Sequence, residues 1–454
     1  MRPRTLTRLA PLAASLSVFA PGVAANPLDM YGFGARHLSL ASATTASTRD
    51  LASNYANPAG LRGLSGFRAE VGYFFANPSL RTDGRDNAVD PSHGIVGGLG
   101  APGRLFGLPF AFGIGFHLPD NQLSQVRAIP QSQPRWELYS VRMQRLYIAA
   151  NVAISPTRWM RLGVGLAFMA STRGGLGIEG QIVATGASGS QLRHTVDADL
   201  TAVRYLQAGA QFDLPRRLTL GVTFRDEFRL DTRLDAALTG QIVVGALSNP
   251  TALRIPGYYG LRSRTLTAFQ PRQVVVGLAW RPTPRWLVEL DLGWVQWSRY
   301  ENPTASTEVT LELAIPPGLG TLRQPTVPQP ALREAMRFSD RIVPRIGAEY
   351  LMPLGQHTLA LRGGYHYDPS PVPAQAGVTN FIDASRHVVA LGLGLSLRGL
   401  GRLIPGRLGL DLGASLQVLP ERVVSKADPN DPVGDYRVGG TALTLASTLS
   451  LELE

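Results

Sequence analysis

Along much of the chain, apolar residues recur at every second position. Phe110, Phe112, Ile114, Phe116 and Leu118 alternate with Ala111, Gly113, Gly115 and His117. Met160, Leu162, Val164, Leu166 and Phe168 alternate with Arg161, Gly163, Gly165 and Ala167. The same pattern runs through Val389, Leu391, Leu393, Leu395 and Leu397, and through Leu408, Leu410, Leu412 and Leu416. A period of two is that of a strand whose faces meet different surroundings. Soluble strands are usually about five or six residues long. Runs of about nine or more suit a tilted strand that crosses a bilayer. The pattern predicts fourteen strands, at 67–80, 94–101, 109–118, 140–153, 159–171, 195–213, 217–231, 272–281, 286–300, 337–351, 356–367, 387–399, 407–420 and 440–453. The Gly-rich second run alternates least well, and an additional strand near 176–185 would fall inside a loop.

The connections carry a second signal. Short ones hold Pro or Gly turn chemistry: Ser155-Pro156-Thr157, Leu214-Pro215, Pro282-Thr283-Pro284, Pro353-Leu354-Gly355 and the Gly-rich 400–406. They alternate with long ones at 81–93, 119–139, 172–194, 232–271, 301–336, 368–386 and 421–439. Short turns on one rim and long loops on the other mark an outer-membrane barrel, and a soluble propeller has no reason to show them. An open sheet edge in lipid would leave backbone groups unpaired at several kcal/mol each, so the sheet must close. The expected fold is therefore all-β: a 14-stranded antiparallel transmembrane β-barrel.

Composition changes the picture in three places. The 454 residues would allow about two to four soluble domains, but the alternation replaces them with one large sheet. The absence of cysteine excludes disulfide scaffolds, Cys-ligated zinc and thiol catalysis. The formal charge of +11 is partly that of an export signal. Arg2, Arg4 and Arg8 precede an apolar stretch at 9–19, and Val23-Ala24-Ala25 resembles a cleavage site ahead of Asn26. The expected division is a signal peptide at 1–25, a plug at 26–66 and the barrel at 67–454. The stretch 26–66 is rich in Gly, Ala, Ser and Thr and does not alternate. It is either a flexible tail or a hatch folded into the lumen, where small inward residues leave room.

Catalytic signals are poor, and neither an enzyme nor a cofactor or metal is expected. Gly98-Leu99-Gly100-Ala101-Pro102-Gly103 matches GxGxxG, yet it lies on a β-turn without the helix N-terminus that phosphate binding needs. No HExxH, GxSxG or Walker A sequence occurs. The arginines are dispersed, which argues against nucleic acid. Lipopolysaccharide and other outer-membrane lipid at the outer rim are their more natural partners.

Asn54-Tyr55-Ala56-Asn57-Pro58-Ala59-Gly60-Leu61 resembles the NPAGL hatch motif of the FadL/TodX family of outer-membrane transporters for hydrophobic compounds. Gly32-Phe33-Gly34-Ala35-Arg36 and the small residues of 39–46 resemble that family's N-terminal pattern. Val288-Glu289-Leu290-Asp291 leading to Gln296-Trp297-Ser298 is similar to its VE…DWS strand, with Gln296 in place of the usual acid. Leu361-Arg362-Gly363-Gly364-Tyr365-His366-Tyr367-Asp368-Pro369-Ser370-Pro371-Val372-Pro373, followed by Asp383-Ala384-Ser385-Arg386-His387, resembles its LRAGYxYDxSPVP…DxxRH block. The four pieces stand in the family's order. The resemblance implies a barrel closed by an N-terminal hatch, a pocket for long-chain fatty acids or aromatic hydrocarbons, and lateral release through the wall. General porins for polar solutes and surface-adhesion barrels are the alternative readings.

Carried over by position, Asn57, Pro58, Ala59 and Gly60 form the hatch motif. Leu28, Met30, Tyr31 and Phe33 either reach a ligand pocket or pack the plug against the wall, with packing preferred. If the leucine-bearing side faces lipid, Glu289, Asp291, Arg345, Glu349, Arg362 and His366 face inward. Arg345 or Arg362 would then meet a fatty-acid carboxylate, or all six would form a charge network bracing the plug, which is the preferred reading. A register slip of one residue would reverse these assignments. The C-terminal Leu449-Ser450-Leu451-Glu452-Leu453-Glu454 lacks the final aromatic residue common in clients of the barrel insertion machinery, the other expected partner. A monomer is expected.

Overall fold

The alternating runs fold as strands with their leucines outward. Leu391 and Leu393 are 65% and 50% exposed, while Ala390 between Val389 and Leu391 is buried. In a computed structural model, the described residues are 27–120, 131–139, 146–183, 191–244, 253–304, 306–314, 333–399 and 406–453. The segment 1–25 lies outside them.

Fourteen strands form the wall: β1 Phe67–Thr82, β2 Ser92–Leu105, β3 Leu108–Pro119, β4 Tyr147–Ile154, β5 Met160–Val183, β6 Gln191–Leu214 and β7 Leu218–Arg225. Then follow β8 Gln273–Trp280, β9 Trp286–Val295, β10 Arg341–Leu354, β11 His357–Asp368, β12 Arg386–Arg398, β13 Arg407–Val424 and β14 Tyr436–Leu453. Each pairs antiparallel with its neighbour. Closure comes from β1 against β14, with Phe67 opposite Leu453 and Thr82 opposite Val438. Among the described residues the fourteen strands thus form one closed circuit, as lipid requires.

The long-loop side differs from the sequence expectation. The region 232–271, read as a loop, is mostly two strands, Phe228–Val244 and Leu253–Gln270, which continue the β7–β8 hairpin outward. Of the extra strand expected near 176–185, residues 176–183 belong to an extended β5 and pair in parallel with Phe228–Val244, and 184–185 lie outside the described residues. Ser306–Leu313 adds one more strand to this outer sheet. Two short pieces, Arg135–Trp136 and Phe381–Ile382, pair in parallel beside the barrel mouth.

Inside the wall lies the N-terminal segment, consistent with a hatch. It holds three short helices, α1 Pro27–Tyr31, α2 Ala35–Ser39 and α3 Ser53–Ala56, followed by a 3-10 turn at Pro58–Gly63. Nearly all of it is buried. Helices this short are not stable in isolation, so the wall must hold them.

Candidate functional site

The hatch motif sits against glycines of the wall. Asn57 Nδ2 donates to Thr45 O at 2.8 Å within the plug, and to Ala210 O and Val222 O of β6 and β7 at 3.2 and 3.3 Å. Its Oδ1 accepts from Ala59 N at 3.1 Å, capping the 3-10 turn that Pro58 begins. Side chains at Gly163 or Gly209 would collide with Pro58, Ala59 or Asn57, so glycine at these wall positions admits the motif. Gly60 packs against Thr48, where a Cβ would stand 2.5 Å from the carbonyl oxygen. Beside it, Asn151 Nδ2 donates to Asn54 Oδ1 at 2.9 Å, and Gln207 Nε2 donates to Asn54 O at 2.8 Å.

The inward carboxylates hold plug backbone. Glu289 Oε1 accepts from Ala46 N at 2.6 Å, and Asp291 Oδ2 accepts from Thr44 N and Thr45 N at 3.1 Å each. Their partners are therefore N–H groups rather than a basic side chain within ion-pair distance. Glu349 lies in a true charge chain: Arg36 Nε at 3.1 Å on one side and Arg362 Nε at 2.6 Å on the other. Arg36 also lies 3.3 Å from Asp50, and Arg362 contacts Asp411. His366 Nδ1 donates to Ala41 O at 3.1 Å.

The two arginines proposed for a carboxylate are thus separated. Arg362 is committed to acids. Arg345 has no ion pair among the described residues, and its Nε is buried without a hydrogen bond. It lines a cavity of about 20 Å³ with Leu28, Asp29, His37, Tyr55 and Arg225. That is space for about one water-sized group.

Arg225 was missed in the sequence. It ends an alternating run, Thr219, Gly221, Thr223, Arg225, whose inward side was there to read. Its guanidinium stacks 4.2 Å from the Tyr55 ring centroid and approaches Asp29 at 3.3 Å and Gln273 at 2.8 Å. Asp29 also accepts from the Tyr55 hydroxyl and, at 2.8 Å, from Gln273 Nε2.

On the long-loop side of this cavity lies a packed apolar cluster. Leu28, Met30, Tyr31 and Phe33 all join it, Phe33 stacking on Tyr55 at 5.8 Å with an 8° interplanar angle. Above them Phe269, Trp297, Tyr300 and Phe338 form an aromatic group, with Tyr300 and Phe338 centroids 4.9 Å apart. Trp136, Tyr139 and Phe381 close it from the mouth. Arg341, 5.3 Å from the Trp297 centroid, and Arg386 both engage Asp368. Polar solutes would have to strip their water to enter such surroundings, whereas apolar ones gain by leaving water.

In sequence, residues 110–451 match the family described as outer membrane protein transport protein (OMPP1/FadL/TodX). Among solved structures, a Pseudomonas aeruginosa FadL homologue shares 13% identity over 96% of this chain and 100% of its own, with TM-score 0.56. The P. putida toluene transporter TodX shares 14% identity over 93% of this chain and 99% of its own, with TM-score 0.51. The CymD monoaromatic hydrocarbon channel shares 14% over 92% and 98%, with TM-score 0.52. No curated protein sequence matches the chain.

Proposed function

The chain belongs to the FadL/TodX family of outer-membrane transporters for hydrophobic compounds, and from that premise we propose that it takes up long-chain fatty acids or aromatic hydrocarbons passively, by pocket binding and lateral release. The observation that carries this reading is the filled lumen. A buried plug held on several sides blocks a water path, and an apolar cluster of side chains packs against it. A hydrocarbon gains about 0.8 kcal/mol per CH₂ by staying out of water, so an apolar route towards lipid suits it better than a wet pore.

Lateral passage needs a place where wall strands part. The β6–β7 ladder ends at Gln207 opposite Arg225, with one more bond from Asp226 N to Leu206 O at 2.9 Å. Beyond it β6 continues, while the chain after Arg225 pairs with Leu253–Gln270 instead. Tyr205 and Phe228 stand at this parting, their rings 5.9 Å apart, both within the apolar cluster. Arg345, without an ion pair among the described residues, is the guanidinium we assign to an acidic head group, once the small cavity beside it widens. Mass spectrometry of compounds that co-purify with the protein tests the reading: fatty acids or aromatics support it, and their consistent absence, with sugars passing freely, contradicts it.

A further inference from the structure

The arginines at the two rims of the barrel have different surroundings. On the long-loop rim they stand among acids: Arg272 pairs with Asp226 at 2.9 Å, Arg299 with Glu227 at 2.6 Å, Arg264 with Asp231 at 2.9 Å, and Arg229 with Glu301. Arg81, Arg85, Arg262 and Arg337 form no ion pair among the described residues, but exposed Asp83, Asp86, Glu308 and Asp340 are close by in chain or ladder. On the short-turn rim, Arg104, Arg158, Arg216, Arg217, Arg285 and Arg398 are all exposed, and none has an ion pair among the described residues. The acids nearest these turns are occupied. Asp213 is held by Arg161 at 2.5 Å, and Glu452 by Arg68 at 3.3 Å.

The neighbours of these arginines fix their depth. Trp159 follows Arg158, and Trp286 follows Arg285; both rings point outward, 53% and 45% exposed. Tryptophan collects at the membrane–water boundary, its body in hydrocarbon and its N–H in water. Next to Arg104, Leu105 and Phe106 form an apolar turn tip, with Phe106 fully exposed. Such a tip is costly in open water and is accommodated in an interface. Arg158 and Arg285 therefore stand at headgroup height, one residue beyond an outward tryptophan, and Arg104 lies beside an interfacial tip. Arg216 and Arg217 adopt φ of 61° and 62°, where Gly or Asn is favoured. The chain keeps two cations there at a conformational cost.

We propose that the short-turn rim is a phosphate-binding collar that docks the barrel onto anionic phospholipids of the inner leaflet. Arginine's planar fork grips phosphate oxygens in pairs. The charge asymmetry between rims directs the contact to this side, independently of which compound the lumen carries.

The test uses full-length protein in nanodiscs containing phosphatidylcholine and phosphatidylglycerol, with retained lipids counted by native mass spectrometry. Preferential retention of phosphatidylglycerol, weakened by salt, is expected. R158Q/R216Q/R217Q/R285Q should reduce it, by about fivefold for each guanidinium removed. Equal retention of both lipids by the unaltered protein, or unchanged retention by the folded variant, would overturn the proposal. If the fourfold variant does not insert, R158Q and R285Q read the loss one site at a time, and no loss at either overturns it equally.

Discussion

Nε of Arg36, on plug helix α2, lies 3.1 Å from Oε2 of Glu349 on wall strand β10. The contact joins a chain of alternating charges, Asp50, Arg36, Glu349, Arg362 and Asp411, that runs from plug to wall. Glu349 is shared by Arg36 and Arg362, each of which keeps one other acid. Its loss therefore costs hydrogen bonds to charged groups, about 1.5–3 kcal/mol each, rather than a stranded charge. Glu349→Gln should therefore loosen the plug and increase the frequency of current bursts in planar bilayers. Unaltered currents would show that other contacts hold the plug.

The hatch motif offers a second handle. Asn57→Ala removes the donor shared by Thr45, Ala210 and Val222 and uncaps the 3-10 turn. Losing buried hydrogen-bond partners costs about 1–3 kcal/mol. Proteolysis of the plug in native membranes should accelerate several-fold, and Gly209→Ala, which collides with Asn57, should act in the same direction.

Acid should release the plug. Burial, followed by the neighbouring Arg345, lowers the His37 pKa to about 3. The seated plug therefore binds fewer protons than a displaced one, in which His37 titrates near 6.5. Seating is unaffected above that value and loses about 1.4 kcal/mol for each pH unit below it, down to about pH 3. Conductance recorded from pH 7.5 to 4.5 should rise below about 6.5 in the native chain. In His37→Gln that step should shrink, with His366, which meets the plug at the Ala41 carbonyl, left to supply the remainder.

Arg345 separates the two substrate classes. Arg345→Gln should weaken uptake of an acid such as oleate by about tenfold, the scale of a charge-assisted hydrogen bond, and leave toluene uptake nearly unchanged. Equal losses for both would assign Arg345 to packing rather than recognition.

Much of the wall was legible because lipid imposes one rule along every crossing. Val389, Leu391 and Leu393 face out, so their partners face in, and closure follows from the backbone's need for partners. Outside the membrane that rule lapses. The strands Phe228–Val244 and Leu253–Gln270 cross no lipid and show no comparable stripe, so their region looked like a loop. The site was legible in parts. The Asn57 motif and the inward facing of Glu289, Asp291 and Glu349 could be read, but their partners could not. Asp291 is bound by N–H groups of Thr44 and Thr45, more than 240 residues away, which no local pattern encodes. Arg225 carried the inward signal and was passed over for lack of a motif around it.

The most direct test of a plugged barrel that carries hydrophobic compounds compares two rates in one preparation of proteoliposomes: delivery of labelled oleate or toluene, and swelling in arabinose. The full-length protein should deliver a hydrophobic compound faster than protein-free liposomes while showing no sugar-driven swelling. Swelling at porin-like rates without hydrophobic delivery would contradict the account.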